Sequence, residues 1–185
     1  MILYRRAFPV IYRYVVVRLG STDLVEDVVA DVFLTMVEAI GDLRTDQEAG
    51  FYAWLLQIAQ GKISKAVRGL SHSKNKYLPL KTSSALENGY TAEPMATDLA
   101  SDPVALHELR ETLEEVGIAL ESLSMEQQMV VVGRFLAGLS ITDLAQSLGK
   151  LPGAVRALQF RALGTLAEQL GQARGSRQKV KGGKA

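Results

Sequence analysis

The sequence of 185 residues contains no cysteine, only two histidines and few aromatic side chains (6%). The lack of cysteine excludes disulfides, thiolate metal sites and a cysteine nucleophile. His72 and His107 stand far apart in polar surroundings, which argues against a histidine-based zinc site. No apolar run approaches the roughly 20 residues that span a bilayer, and the first residues lack the apolar core of a signal peptide. We therefore expect a soluble, cytoplasmic protein without a membrane segment.

The formal net charge of +1 hides an uneven distribution along the chain. The last fifteen residues, 171–185, carry five basic side chains and no acidic one, with glycines between them. Because such a segment cannot bury an apolar face, we predict a disordered basic tail. Two roles stay open for it: a solubilising tail, or a loose contact with phosphate groups.

A polar segment divides the rest of the chain into two parts. Residues 71–102 show no apolar period and contain Pro79 and Pro94, which is typical of a linker. The flanking lobes, residues 1–70 and 103–170, are small. Domains of about 70 residues bury only about 60% of their unfolded surface, so we expect each lobe to be stabilised by a partner.

Apolar residues recur at helical spacing in the first lobe. The longest stripe extends over about 17 residues, too long for a typical strand, and its opposite face carries carboxylates. It consists of Val25, Val28, Val29, Val32, Phe33, Met36, Val37 and Ile40. A third helix over 51–68 is expected to bury Leu55, Ile58, Ala59, Ile63 and Val67. The pattern predicts an all-α fold.

The second lobe contains the signature of a helix-turn-helix. Ser124 and Ser140 each begin a capping box ahead of an apolar segment. Ala145 is small where two helices would cross steeply, and Gly149 allows the positive φ that a short turn requires. With Val155 on the inner face of the following helix, 152–166, the spacing fits a unit whose second helix enters the DNA major groove. An ordinary helical hairpin in a bundle fits the same offsets.

The outer side of that second helix is the candidate DNA-reading face. Arg156, Gln159 and Arg161 have the chemistry to read guanine and adenine edges, although a short charged face is also typical of a solvated surface. Phe160 fits either a thymine methyl group or the core of the lobe.

The order of the segments carries more information than any single motif. Residues 25–33 (VEDVVADVF) and 51–59 (FYAWLLQIA) resemble conserved region two of bacterial sigma factors. Residues 134–145 (RFLAGLSITDLA) and 153–163 (GAVRALQFRAL) resemble region four. Since no region one or three is recognisable, the pattern resembles the extracytoplasmic-function (ECF) group, over roughly residues 2–70 and 104–170.

This resemblance implies two small helical domains joined by a flexible linker, the second containing the helix-turn-helix. It implies a sigma factor that binds core RNA polymerase, directs it to specific promoters and assists promoter opening, without enzymatic activity or a cofactor. The implied partners are core polymerase, through its β′ coiled coil and β flap, and promoter DNA, with room for an anti-sigma factor.

The resemblance also implies three sets of site residues. Docking on core polymerase would involve Glu26, Asp27, Asp31 and Phe33. Contacts with the minus-ten element would involve Phe51, Tyr52, Trp54, Gln57, Lys62, Lys65 and Arg68. The minus-thirty-five element would be read by Lys150, Gly153, Ala154, Arg156, Ala157, Gln159, Phe160 and Arg161. A lone tryptophan such as Trp54 also fits a core position.

Two other classes of protein fit parts of the sequence. A helix-turn-helix regulator that uses residues 1–70 for dimerisation would bind palindromic DNA as a homodimer, without polymerase. A metal-dependent enzyme would use Asp27 and Asp31, one helical turn apart, but no histidine, glycine-rich phosphate loop or nucleophile–base pair accompanies them.

Overall fold

The computed structural model describes residues 2–20, 22–72 and 103–182. Within these ranges the chain is built of helices and contains no strand, which confirms the predicted all-α class. The helices are α1 (Ile2–Leu19), α2 (Thr22–Ala39), α3 (Glu48–His72), α4 (Pro103–Glu121), α5 (Met125–Phe135), α6 (Ile141–Ser147) and α7 (Pro152–Gly182), with a 3-10 turn at Ile40–Asp42. Most of the predicted linker lies outside the described residues.

Helices α1, α2 and α3 pack together as the N-terminal lobe. Ile11, Val32 and Leu55 are fully buried where the three helices meet. The predicted apolar stripe of α2 is wider than the face of the helix that is buried, because Val37 at the edge of the stripe is exposed. Val67 of α3, also expected in the core, is exposed as well. A three-helix lobe covers one face of each helix, so the residues at the margins of a wide stripe stay outside.

The C-terminal lobe contains the helix-turn-helix, formed by α6 and α7. Both predicted capping boxes are present: the side chain of Ser124 accepts a hydrogen bond from the backbone of Gln127, and that of Ser140 from the backbone of Asp143. Gly149 adopts a φ of 62° in the turn, as predicted. Ala145 and Val155 are buried at the crossing of the two helices, so the hydrophobic contact expected for this unit is confirmed.

The two lobes lie against each other. Helix α1 packs along α4, and α3 packs against α5 and α6. One continuous apolar cluster runs through both lobes, from Ile11 and Leu55 to Val130 and Leu144. A contact of this kind covers apolar faces that a lobe of about 70 residues cannot bury by itself.

The predicted disordered tail, residues 171–185, is wrong over its described part. Helix α7 continues without interruption through this segment to Gly182, and residues 183–185 lie outside the described ranges. Lysine, arginine, glutamine and alanine are good helix formers. Because residues 152–170 already supply a formed helix, the basic segment extends it without a new nucleation cost.

Candidate functional site

The outward face of α2 combines carboxylates with exposed apolar side chains. Glu26, Asp27 and Asp31 are all exposed, as their assignment to polymerase docking requires. Leu34 and Val37 are also exposed, by 58% and 66%. Residues three and four apart are neighbours on a helix surface, so these apolar side chains form a row beside the carboxylates.

Leu34 and Val37 were not predicted as site residues. The sequence pattern places Val37 in the buried stripe and gives Leu34 no role. The signal that identifies them is a second, shorter row at helical spacing, Ala30, Leu34 and Val37, on the face opposite the core. Its members become recognisable as surface residues only when the width of the core is known.

Phe33 does not belong to that outward face. It is only 7% exposed, and its ring lies 4.8 Å from the ring of Tyr4 and 5.8 Å from that of Phe8, measured between centroids. These contacts hold α1 against α2. The assignment of Phe33 to direct docking is therefore corrected: in this structure it supports the face from beneath.

Asp31 and Lys62 connect two surfaces that were predicted separately. The Lys62 ammonium lies 3.8 Å from Asp31 Oδ2, which joins α3 to α2. Both side chains are partly exposed, and such pairs contribute only about 0–1 kcal/mol. Lys62 can therefore exchange this carboxylate for a phosphate at little cost.

The beginning of α3 is buried rather than open to DNA. Phe51 and Tyr52 belong to the core, and the Tyr52 hydroxyl donates a hydrogen bond of 3.2 Å to the backbone oxygen of Arg6. Burial raises the pKa of Tyr52 above its ordinary value. The predicted contact of these two rings with an unstacked base is thus not available in this structure. Trp54 is half-buried, and its ring centroid lies 6.2 Å from that of Phe51.

The remaining predicted minus-ten residues lie further along α3 on a solvent face. Gln57, Lys65 and Arg68 are exposed. Their spacing of eight and three residues places them on the same side of an α-helix. This face, which we call the α3 basic face (Gln57, Lys65 and Arg68), points away from the apolar side chains that α3 buries.

The first half of α7 presents most of the predicted minus-thirty-five residues to solvent. Arg156, Phe160 and Arg161 are exposed, and Phe160 is exposed by 80%, which excludes a core role for it in this structure. The exposed residues around them are small: Gly153, Ala154 and Ala157. We call these six residues the α7 face.

Two residues of the minus-thirty-five set are placed differently. Gln159 is half-buried at the margin of the α7 face. Lys150, in the turn before α7, lies with its ammonium 3.0 Å from Glu126 Oε1 on α5. The turn lysine therefore braces the helix-turn-helix against α5 while its ammonium stays partly exposed.

The described residues offer little for metal chemistry or membrane insertion. Among residues 2–20, 22–72 and 103–182, no group of three or more histidines and carboxylates could hold a metal ion. No helix within these ranges is long and apolar enough to cross a bilayer.

Comparison with protein families assigns both lobes. The family model "Sigma-70 region 2" matches residues 3–72, and "Sigma-70, region 4" matches residues 119–168. The chain belongs to the sigma-70 family. Both regions occur in the order expected from the sequence: region 2 spans the N-terminal lobe, and region 4 spans the C-terminal lobe from the end of α4 onward.

Relatives of this sigma-70 family member carry ECF names. The ECF RNA polymerase sigma factor BldN of Streptomyces coelicolor is 32% identical over 171 residues, which cover 91% of this chain and 59% of BldN. The ECF RNA polymerase sigma factor SigD of Mycobacterium tuberculosis is 27% identical over 166 residues, 88% of this chain and 72% of SigD. The chain thus spans about three-fifths of the length of BldN.

One solved structure is similar over most of its length. It is the sigma factor RpoE in complex with the anti-sigma factor NepR from Bartonella quintana, 18% identical, with a TM-score of 0.49 and coverage of 91% of this chain and 94% of RpoE.

Proposed function

We propose that this protein is an ECF-type sigma factor that binds core RNA polymerase, directs it to specific promoters and assists promoter opening. The observation that carries the proposal is the presence of both sigma-70 regions in one chain, each on its own helical lobe. The protein acts by binding rather than by catalysis, in the cytoplasm where polymerase transcribes.

The α2 face is the proposed docking site for the β′ coiled coil of core polymerase. Leu34 and Val37 leave apolar area in water that a partner would remove from it. Carboxylates beside this row would meet basic side chains of the partner, which favours encounter and sets orientation. An apolar centre with charged groups around it is the usual anatomy of a protein–protein interface.

The α7 face is the proposed reader of the minus-thirty-five element. Its glycine and alanines allow the helix backbone to come close to the floor of the major groove. Arg156 and Arg161 supply charged donors for guanine edges or for phosphates. Phe160, exposed between them in sequence, offers an apolar ring to a thymine methyl group.

The α3 basic face is the proposed contact with the minus-ten element. Lys65 and Arg68 would hold phosphates, and Lys62 would join them when it leaves Asp31. Opening the duplex requires no catalytic group, because a protein that binds the separated strand shifts the equilibrium toward it.

A pull-down with core RNA polymerase tests the docking assignment through a matched pair of variants. Val37 on α2 and Val104 on α4 are each exposed by 66%. Val37→Asp places a charge in the proposed apolar row, so we expect at least a tenfold loss of core affinity, about 1.4 kcal/mol. Val104→Asp adds the same charge outside both family-matched regions and should leave the affinity unchanged.

Two results would contradict the docking assignment. One is failure of the wild-type chain to bind core polymerase. The other is an equal effect of the two aspartate substitutions, which would mean that the α2 face has no special part in the contact.

A further inference from the structure

Helix α7 continues well beyond the helix-turn-helix. The match to Sigma-70, region 4 ends at residue 168, whereas α7 continues to Gly182. At 1.5 Å per residue the whole helix is about 46 Å long, and about 20 Å of it, or about four turns, follow residue 168. The family match therefore assigns no role to this last part of α7.

The basic residues of α7 fall into two groups. The first group consists of the two arginines of the α7 face, Arg156 and Arg161. Residues 162–173 then carry no basic side chain and only one acidic one, Glu168. Residues 174–181 carry four basic side chains and no acidic one. This second group consists of Arg174, Arg177, Lys179 and Lys181.

The second group repeats the positions of the first around the helix. Arg174 follows Arg156 by 18 residues, and Lys179 follows Arg161 by the same number. Eighteen residues are five complete turns of an α-helix, or about 27 Å along its axis. Lys181 follows Arg156 by 25 residues, which is just under seven turns. These three positions, which we call the α7 extension (Arg174, Lys179 and Lys181), therefore lie on the same side of the helix as the α7 face.

This side of α7 is open to solvent as far as it is described. Ala167, Gly171 and Gly175 are exposed, and a Cβ built on either glycine would meet no atom within 4 Å. The opposite side of the helix packs against α4, α5 and α6. Position 177 follows the half-buried Gln159 by five turns, so it falls at the margin of the open side and is not counted in the α7 extension.

We propose that the α7 extension binds phosphate groups of the DNA duplex beyond the minus-thirty-five element. This inference rests on the proposed reading of that element by the α7 face, and it adds a second contact that does not depend on sequence. Contacts of lysine and arginine with phosphates position a protein on DNA without reading its bases. In homeodomains, too, the C-terminal end of the reading helix contacts the DNA backbone.

The composition of this segment favours DNA over a protein surface as its partner. Residues 171–182 contain no aromatic residue, leucine, isoleucine or methionine, and Val180 is their only large apolar residue. The centre of a protein–protein interface is apolar and depleted in lysine, whereas protein–DNA interfaces are polar and strongly positive. Because the α7 extension also continues the α7 face on one helix, the duplex that this face reads is the partner within its reach.

Binding of a random-sequence duplex by the full-length chain tests the α7 extension without polymerase or a known promoter. Fluorescence anisotropy of a labelled duplex of about 30 base pairs, roughly three helical turns, gives the affinity over a series of salt concentrations. Each phosphate contact contributes about 0.9 to the slope of log K against log salt concentration. The triple variant Arg174→Gln, Lys179→Gln, Lys181→Gln should thus lower this slope by about 2.7. Between about 50 mM and 200 mM salt, the wild type should lose about 40-fold more affinity than the triple variant.

A matched triple variant removes the same charge elsewhere. Arg5→Gln, Arg13→Gln and Arg44→Gln change three exposed arginines of the N-terminal lobe, and their combination should keep a slope close to that of the wild type. Arg174→Lys, which preserves the charge of the α7 extension, should keep it as well. Since glutamine is a good helix former, neither triple variant should lose helix content, which far-UV circular dichroism checks.

Equal slopes of the two triple variants would overturn the proposal. So would a loss of affinity for core polymerase in the α7 extension variant with the duplex slope of the wild type, because that result would assign the α7 extension to a protein surface. A wild-type chain that binds duplex through the α7 extension but does not bind core polymerase would support this inference and reject the proposed function. The two failures are therefore distinguishable.

Discussion

Tyr14 shows how a single buried side chain links the two lobes and couples their contact to pH. Burial is the largest influence on its phenol and raises the pKa above the ordinary value of 10.0, while Arg18 opposes this to a smaller extent. The neutral hydroxyl is the form that donates to Gln128. A raised pKa in the folded state means that the stabilisation is fully present below pH 10 and is lost as the pH rises through the folded pKa.

Tyr14→Phe is therefore expected to reduce stability in a pH-dependent way. At neutral pH the loss of the hydrogen bond should cost about 1 kcal/mol in the free energy of unfolding. Between pH 9 and pH 11 the wild type should lose more stability than the variant, because the variant has one fewer phenol to ionise on unfolding. Urea unfolding at both pH values measures the difference. Identical pH dependence of the two proteins would contradict the assigned burial of Tyr14.

Tyr12→Phe is a useful control for that measurement. The pKa of Tyr12 is also raised by burial, with a further contribution from Glu26. Its hydroxyl takes no part in the contact with Gln128. Tyr12→Phe should thus change the pH dependence of unfolding, but at neutral pH it should cost less stability than Tyr14→Phe, because it removes no hydrogen bond to Gln128.

At the scale of the element, α6 depends on its cap. It has only seven residues, fewer than an isolated helix needs to be stable. Ser140 Oγ accepts from the Asp143 backbone nitrogen at 3.0 Å, and Asp143 Oδ2 accepts from the Ser140 backbone nitrogen at 3.2 Å. These bonds fix the first helix of the helix-turn-helix and hence the start of the turn to α7.

Ser140→Ala should destabilise the protein by about 1 kcal/mol, the typical cost of losing a serine N-cap. Thr142→Ala, at an exposed position in the first turn of the same helix, is the matched control and should be close to neutral. Urea unfolding at neutral pH compares the two. If both variants were equally stable, the cap would have no measurable part in holding α6.

Elements and their ends could be predicted where the chemistry is local. The capping boxes at Ser124 and Ser140 and the positive φ of Gly149 depend on a few neighbouring residues, and all three are present. The prediction of a disordered tail after residue 170 was wrong over its described part. Charge and glycine content indicate that a segment is not buried, but they do not show whether it is helical.

The candidate site was harder to predict because it depends on which face of each helix is covered. Helical periodicity places Phe33, Phe51 and Tyr52 among apolar or aromatic segments, but it cannot tell a core ring from a binding ring. The structure places all three in the core. Conversely, Val37 continues the apolar stripe of α2 and yet lies outside, because the lobe has no further helix to cover it.

The whole molecule combines two small lobes that share one apolar cluster. Nothing in the periodicity of the sequence indicated this contact. Gln128 and Gly117 can be recognised as contact residues only when the structure shows them opposite Tyr14 and Val17. The shared cluster accounts for how each lobe is stabilised when no partner is bound. It also means that the proposed partner must replace contacts that the chain makes with itself.

Transcription reconstituted from purified core RNA polymerase, this chain and genomic DNA of its source organism tests the central claim most directly. The account predicts promoter-specific transcripts that appear only when chain and core are both present, with one chain per core and weak duplex binding by the chain alone. The contradicting result is a homodimer joined through the α2 face that binds palindromic DNA tightly without core, with a steep dependence on salt, and leaves the transcripts made by core unchanged.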